Sequence, residues 1–248
     1  MIEIQNISKS FGEKKVLDDI STVFQKGQTN LIIGQSGSGK TVLLKSIVGL
    51  HEADEGNILY DGRDLLGMNL RDQKTLRREI GMVFQGGALF DSLTVEQNVR
   101  FPLDMFTDQT EAEKQDRVDF CLERVNIVDA HHKFPSEISG GMQKRVAIAR
   151  AIALNPRYLF CDEPNSGLDP LTAIVIDNLI NEITKEFDIT TIINTHDMNS
   201  VMEIGEKILF IHKGKKEWEG SKEDILRTEN KPLNEFIFST KLTQQLKK

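Results

Sequence analysis

Cysteine is nearly missing from this sequence of 248 residues, in which Cys121 and Cys161 are the two examples. They stand alone, without a Cys-x-x-Cys pair or a Cys/His spacing, so the sequence predicts neither a disulfide framework nor a zinc site. His131 and His132 lack an accompanying ligand cluster and are read as surface residues. The two cysteines are therefore expected to be buried apolar residues in a reducing compartment.

Excess positive charge and long apolar runs are missing as well. The formal net charge is -7 and the isoelectric point is near 5.4, which argues against a protein that binds nucleic acid by neutralising phosphates. No apolar run approaches the roughly 18 residues of a membrane span, and the first residues, MIEIQNISKSF, alternate like a strand instead of forming a signal peptide. We therefore expect a cytoplasmic protein whose membrane role would depend on a partner.

Strand-like and helix-like segments alternate in a way that predicts an α/β fold. Segments such as TNLIIG, YLFCD and ITTIINT read as strands, and the almost wholly apolar ones belong in the centre of a sheet covered on both faces. Helical patterns fill the middle third, where Thr94 with Gln97 and Thr110 with Glu113 fit the capping-box pattern. These helices interrupt the strand-helix alternation as an insertion.

The domain organisation follows from these patterns. We expect a single domain over residues 1–248, in which residues 1–85 and 156–228 form the α/β core. Residues 86–155 are the helical insertion, and residues 229–248 form a C-terminal tail.

A glycine-rich loop, GQSGSGKT, follows the strand TNLIIG and opens a helix. It matches the G-x-x-x-x-G-K-[ST] pattern in the strand-to-helix context that the pattern requires. In such a loop the backbone N–H groups surround a β-phosphate, the lysine neutralises β and γ oxygens, and the hydroxyl ligates Mg²⁺. The alternative is a purely structural turn. The candidate nucleotide-binding residues are Gly34, Gln35, Ser36, Gly37, Ser38, Gly39, Lys40, Thr41 and Val42.

A pair of carboxylates follows the apolar run YLFC. Asp162 and Glu163 would lie at the carboxyl end of a buried strand, where ligands bind in open α/β sheets. There Asp162 would hold Mg²⁺, and Glu163 would orient and polarise an attacking water. The alternative is an acidic pair that caps the next turn.

A second glycine run, ISGGMQKR, raises the question of why one chain needs two anion-binding segments. Ser139, Gly140 and Gly141 open a helix, and the N–H groups of an exposed helix N-terminus face anions readily. The alternative is an ordinary helix cap. An isologous pair of chains would answer the question, because each copy would supply half of each site.

The glycine-rich loop GQSGSGKT, called the cradle here, is followed in order by the segments ISGGMQ, YLFCDEP, SGLDP and NTHD. With these five segments the chain resembles the nucleotide-binding subunit of an ABC transporter over nearly its whole length. The resemblance implies a P-loop NTPase core of the ABC type, with an antiparallel β part and an inserted α-helical subdomain. It implies ATP hydrolysis with Mg²⁺, a membrane permease as partner, and a head-to-tail homodimer. In that dimer each ATP lies between the cradle of one copy and the Ser-Gly-Gly segment of the other.

Further site residues are carried over by the same resemblance, each with a structural alternative. Phe11 matches the aromatic residue that stacks on adenine, although it could be a core residue. Gln85 matches the glutamine that contacts Mg²⁺ or water, or it is a polar strand cap. Asp169 matches the loop that crosses to the partner's site and also reads as a helix N-cap. His196 matches the switch histidine at the γ-phosphate. The implied catalytic residues are thus Glu163, His196, Gln85 and Lys40, and the implied metal ligands are Thr41, Gln85 and Asp162.

Two departures from the usual Leu-Ser-Gly-Gly-Gln signature accompany the match, since Ile138 opens the segment and Met142 takes the glutamine position. Met142 and the loop FQGGALFDSLTVEQNV resemble the lipid-trafficking Mla branch, which works with MCE-type substrate-binding proteins. The competing interpretations are an amino-acid-type or other importer and a non-transport ABC ATPase. The latter would need a coiled-coil insertion or two linked cassettes, which this sequence lacks.

Two apolar segments are predicted to meet partners. By family analogy Ala88, Leu89 and Phe90 line a groove for a cytoplasmic helix of the permease, with core packing as the alternative. In the tail, Phe236–Phe238 is too apolar to leave in water and is predicted to pack on the second subunit.

Overall fold

The computed structural model describes residues 1–238. Ten strands lie in this part of the chain. They are β1 (Ile2–Phe11), β2 (Lys14–Phe24), β3 (Thr29–Ile33), β4 (Glu55–Tyr60), β5 (Arg63–Asp64), β6 (Ile80–Val83), β7 (Tyr158–Asp162), β8 (Thr190–Thr195), β9 (Lys207–His212) and β10 (Lys215–Gly220).

Nine α-helices connect or cover these strands within the same described residues. They are α1 (Lys40–Val48), α2 (Leu70–Arg78), α3 (Val95–Phe106), α4 (Glu111–Arg124), α5 (Gly140–Ile152), α6 (Pro170–Glu186), α7 (Met198–Ile204), α8 (Lys222–Ile225) and α9 (Lys231–Ile237). None of the helices between residues 1 and 238 is both long and apolar enough to cross a membrane.

The strands form two sheets that differ in strand direction. An antiparallel sheet has the order β2-β1-β4-β5, and a six-stranded sheet has the order β10-β9-β3-β8-β7-β6, in which β10 is antiparallel to its neighbour and the other pairs are parallel. The predicted α/β core with an antiparallel part is confirmed. Because β3, β8, β7 and β6 are adjacent and parallel, the loops that follow them meet at one edge of the sheet.

The core occupies both faces of the six-stranded sheet. Along β3, Ile32 packs in the cluster shared with α1, α2 and the antiparallel sheet, whereas Leu31 and Ile33 pack in the cluster shared with helices α3 to α9. Since successive residues of a strand face opposite sides, a strand covered on both faces is expected to be mostly apolar on both. This explains why the central strands lack a polar alternation.

Helices α3, α4 and α5 lie between β6 and β7 in the sequence, within the insertion predicted at residues 86–155. Both predicted capping boxes are confirmed, because the side chains of Thr94 and Thr110 each accept a hydrogen bond from the backbone N–H three residues on, and their own backbone N–H groups donate to the side chains of Gln97 and Glu113. Val99, Val118 and Val146 are fully buried. The three helices therefore hold one another through a shared apolar interior.

The first part of the tail packs on the core of its own chain. In α9, Leu233 and Ile237 are buried, and the ring of Phe236 stacks on Phe210 of β9 with the centroids 5.4 Å apart. Phe236 and Phe238 both contact the core of their own chain. The apolar surface that Phe236–Phe238 needs is therefore supplied by the chain's own core, including Phe210 of β9, and packing on a second subunit stays a prediction. The rest of the tail, residues 239–248, lies outside the described residues.

Both cysteines are buried, as expected. Burial raises the pKa of the Cys121 thiol to about 11 and also raises that of Cys161. Each therefore remains a protonated, apolar thiol at neutral pH.

Candidate active site

The glycine-rich loop lies between the buried strand β3 and helix α1, at the sheet edge where the parallel strands end. Gly34 has φ 154°, and a Cβ atom there would lie 2.3 Å from the carbonyl oxygen of Ile211. Gly39 has φ 111°, and its Cβ would lie 3.0 Å from the carbonyl oxygen of Val16. A side chain at either position would force the backbone apart, so the loop depends on these two glycines.

Lys40 is the first residue of α1 and its side chain is buried in the loop. Its Nζ donates to the carbonyl oxygens of Gly34 at 2.9 Å and Gln35 at 3.2 Å. Burial lowers the pKa of Lys40, and the nearby carboxylates of Glu163 and Asp162 partly oppose this effect. An anion bound in the loop would stabilise the charged ammonium further.

Thr41 and Asp162 come together from α1 and the end of β7. The hydroxyl of Thr41 donates to Oδ1 of Asp162 at 3.4 Å, and Nδ2 of Asn194 donates to the same oxygen at 3.1 Å. Asn194 is fully buried in β8, and its Oδ1 has no hydrogen-bond partner among residues 1–238. Asn194 was not among the site residues predicted from the sequence. An asparagine inside the otherwise apolar strand ITTIINT nevertheless indicates a position with a polar role.

Glu163 lies between Gln85 and His196. Oε2 of Glu163 accepts a hydrogen bond from Nε2 of Gln85 at 2.9 Å, and Oε1 lies 3.0 Å from Nδ1 of His196. The Glu163 backbone has φ 47° and its N–H donates to the carbonyl of Asn194 at 2.9 Å. A glutamate in this left-handed conformation is uncommon, and such strain concentrates at functional sites.

Helix α5 holds the loop that follows Gln85. Lys144 is buried and its Nζ donates to the carbonyl oxygen of Gln85. Arg150 donates to the carbonyl oxygens of Gly87 and Ala88, both at 2.8 Å. The helix that begins with the Ser-Gly-Gly segment therefore fixes the backbone beside Gln85. Lys144 had no separate signal in the sequence.

The Ser-Gly-Gly segment and Asp169 both lie at helix N-termini. The Ser139 hydroxyl accepts from the N–H of Met142 at 3.3 Å, and Asp169 accepts from the N–H groups of Leu171 and Thr172 at 3.1 and 3.0 Å. A Cβ on Gly141 would lie 2.8 Å from Cγ2 of Thr172, so the two N-termini are neighbours.

Two clefts adjoin the phosphate loop. One, of about 430 Å³, lies against α1 and includes Lys14 and Val16, which the sequence did not reveal. The other, of about 950 Å³, joins Gln35 and Lys40 to Glu163, His196 and the end of α9. Ser139, Gly140 and Gly141 line neither cleft. Within the described residues, these two clefts are therefore lined by the first glycine-rich segment and not by the second.

Phe11 also lies outside both clefts. Its side chain is 47% exposed, and its ring meets that of His51 edge to face with the centroids 5.5 Å apart. This exposure excludes the alternative of a core residue. Phe11 offers an accessible aromatic face at the end of β1.

Comparisons with known proteins agree with this geometry. A family model described as ABC transporter matches residues 17–166. The probable ribonucleotide transport ATP-binding protein mkl of Mycobacterium leprae is 35% identical over 236 residues, which are 95% of this chain and 68% of that protein. The methionine import ATP-binding protein MetN of Clostridium acetobutylicum is 40% identical over 237 residues, covering 96% and 74%. The chain thus spans about two thirds to three quarters of these relatives' length.

Solved structures share the fold. A dimeric post-hydrolysis state of the ATP-binding cassette MJ0796, bound to ADP and Pi, matches with a TM-score of 0.80 and 31% identity, covering 89% of this chain and 98% of that one. The cbiO1 protein of Clostridium perfringens, part of the ABC transporter complex cbiONQ, matches with a TM-score of 0.86 and 27% identity, covering 100% and 98%. This chain belongs to the ABC transporter family and is an ATP-binding, ATP-hydrolysing subunit of that kind.

Proposed function

We propose that two copies of this chain close head to tail around two ATP molecules and that their hydrolysis drives a membrane permease. The observation that carries this proposal is that Ser139–Gly141 line neither of the two clefts described at the phosphate loop. An isologous pair would bring the segment of one copy to the cradle of the other. The dimeric state of the similar cassette MJ0796 supports this arrangement.

Glu163 is proposed to orient the water that attacks the γ-phosphoryl group. Hydrogen bonds from Gln85 and contact with His196 hold both of its carboxylate oxygens, so the side chain is positioned before substrate binds. Lys40 and the N–H groups of the cradle and of Ser139–Gly141 would stabilise the phosphate charge. In phosphoryl transfer, such positioning and charge stabilisation provide most of the catalysis.

Mg²⁺ is proposed to accompany ATP. The hydroxyl of Thr41 and the carboxylate of Asp162 lie 3.4 Å apart, and these hard oxygen donors suit Mg²⁺, which keeps several waters and binds substrate phosphates. When bound, the ion neutralises charge on the β and γ phosphates. Gln85 is the third proposed ligand, and its side chain reaches the same edge of the site through Glu163.

A separate apolar groove supports permease binding. The groove measures about 440 Å³ and its lining includes Ala88, Phe90, Phe101 and Phe106. An amphipathic helix buries its apolar face in such grooves. Leu89, which the sequence grouped with its neighbours, packs against the core instead. Only Ala88 and Phe90 of the predicted trio therefore form part of this surface.

The transported substrate is proposed to be a lipid, supplied by an MCE-type binding protein. This proposal depends on the likeness of the loop FQGGALFDSLTVEQNV and of Met142 to the Mla branch. The alternative is an amino-acid importer, which the 40% identity to a methionine import protein favours. Stimulation of ATP hydrolysis in the purified permease complex by phospholipid, but not by amino acids, would separate the two.

The shared ATP site is tested with a slow-turnover variant. Glu163→Gln is expected to bind MgATP, lose about 100-fold or more in turnover, and double in mass by light scattering when MgATP is added. Lys40→Ala is the matched control, expected to lose both ATP binding and the mass change. A Glu163→Gln protein that turns over at the wild-type rate would refute the assigned role of Glu163. Wild-type monomers that hydrolyse ATP briskly at all concentrations would refute the shared site.

A further inference from the structure

A buried carboxylate stands in α6, outside the clefts at the phosphate loop. Asp177 is 3% exposed, and its strongest charged neighbours in the described part of the chain are the anionic Asp197 and Glu203. Burial of a carboxylate without a cation is unfavourable unless hydrogen bonds satisfy its oxygens. Its retention in the interior therefore requires a specific set of donors.

The donor to Asp177 is the side-chain amide of Asn165, which is itself buried. Nδ2 of Asn165 lies 3.2 and 3.4 Å from the two carboxylate oxygens of Asp177, and it also donates to the Ser200 hydroxyl at 2.8 Å. Asn165 is 8% and Ser200 is 1% exposed. Asn165 thus links Asp177 to Ser200, and these three buried side chains are called the triangle here.

The triangle joins the two segments that carry the proposed catalytic pair. Asn165 lies two residues after Glu163 in the turn that ends β7, and the N–H of Ser166 donates to the carbonyl of Glu163 at 3.2 Å. Ser200 lies in α7, whose N-cap, Asp197, directly follows His196. Helix α6 thus serves as a common anchor for both segments.

The burial of Asp177 is reflected in its pKa. Desolvation, together with the charges of Asp197 and Glu203, raises the pKa of Asp177 to about 6, while the polar groups of Ser200 and Asn165 oppose the rise. The thiol of Cys161 in β7 is a further titratable neighbour. An apolar side chain at this position would avoid the desolvation, but it would leave the amide of Asn165 without this acceptor.

We propose that Asp177 is a positioning residue that sets the distance between Glu163 and His196 by hydrogen-bonding Asn165, which in turn bonds Ser200. The proposal rests on the roles proposed above for Glu163 and His196. Because Glu163 and His196 approach to 3.0 Å, a small displacement of either segment separates them. Misplacement by about 1 Å can reduce turnover as much as 100-fold.

The test compares two substitutions of Asp177 by steady-state ATPase kinetics. Asp177→Leu keeps the approximate size but removes the acceptor, and we expect kcat to fall about tenfold or more, with KM for ATP changed less than about twofold, because the cradle is untouched. Asp177→Asn keeps an acceptor for Asn165 and is expected to retain at least about half of kcat. A folded Asp177→Leu protein with wild-type kcat, or an Asp177→Asn protein that falls as far as Asp177→Leu, would overturn the proposal.

A control on the same helix separates positioning from general destabilisation. Thr184 is also buried in α6, but it bonds to Ile180 and to Thr191 of β8 instead of the catalytic segments. Thr184→Val is expected to lower the melting temperature and leave kcat unchanged, whereas equal losses of kcat in the Thr184 and Asp177 variants would defeat the proposal.

A second variant keeps the test decisive if Asp177→Leu does not fold. Ser200→Ala removes one corner of the triangle with little change in volume, and a several-fold drop in kcat with unchanged KM is expected. Wild-type kinetics in that variant would overturn the proposal. Glu163→Gln, assayed alongside, distinguishes the two levels of inference. If it is inactive while Asp177→Leu is fully active, only the role of Asp177 is wrong.

Discussion

The titration of Asp177 makes the stability of this protein depend on pH in a direction that can be calculated. Its pKa is raised from an ordinary 3.8 to about 6 by burial, which corresponds to about 3 kcal/mol. Between these values the folded state holds a proton that the unfolded state has lost. Stability from this group is therefore fully present below pH 3.8 and is lost as the pH rises through about 6.

Asp177→Asn removes this titration while keeping a polar side chain of the same size. Linkage between the two pKa values gives the wild-type protein about 1 kcal/mol of additional stability at pH 5 relative to pH 8. The variant lacks this additional stability. The difference in unfolding free energy, variant minus wild type, is thus expected to fall by about 1 kcal/mol from pH 8 to pH 5.

Urea denaturation followed by far-UV circular dichroism at both pH values measures this difference, and the other titrating groups cancel because both proteins contain them. Thr184→Val retains Asp177 and is the matched control, so its difference from wild type should be the same at both pH values. An Asp177→Asn difference that does not change with pH would show that Asp177 is not the desolvated carboxylate described here.

Two further predictions concern the groove and the tail. Ala88 is exposed at φ 49°, a conformation that aspartate tolerates, so Ala88→Asp should keep its fold and ATP binding but no longer co-purify with the permease. Leu89→Asp places a charge against the core and should instead lower the melting temperature; equal effects of the two substitutions would contradict the orientation of this loop. In α9, Leu233→Ala should destabilise the protein by about 3 kcal/mol because Leu233 is fully buried. Glu235 lies on the exposed side of the same helix, so Glu235→Ala should change stability by less than about 0.5 kcal/mol. Equal thermal denaturation of the last two variants would show that α9 does not dock on the core.

Much of the fold was readable from the sequence because its signals are local. The phosphate loop depends on glycine conformations and on a strand-to-helix junction, and both are set by neighbouring residues. The capping boxes at Thr94 and Thr110 are likewise defined within four residues. The apolar runs that became β3, β7 and β8 indicated a sheet covered on both faces.

The tertiary structure decided what distant segments do to one another. Gln85 and His196 meet Glu163 across 78 and 33 residues of sequence, and the strand order β8-β7-β6 determines that meeting. Surfaces built by other elements decided that Leu89 packs against the core while Ala88 faces outward. They also decided that α9 packs on Phe210.

Asp177 shows the same division most clearly. The sequence specifies that an aspartate occupies this position of a helix, and aspartate side chains are exposed in most proteins. Only the packing of α6 against the turn after β7 and against α7 buries it and supplies the amide donor of Asn165. Local periodicity is determined by backbone geometry over a few residues, whereas burial and pairing are determined by the free energy of the whole packed chain.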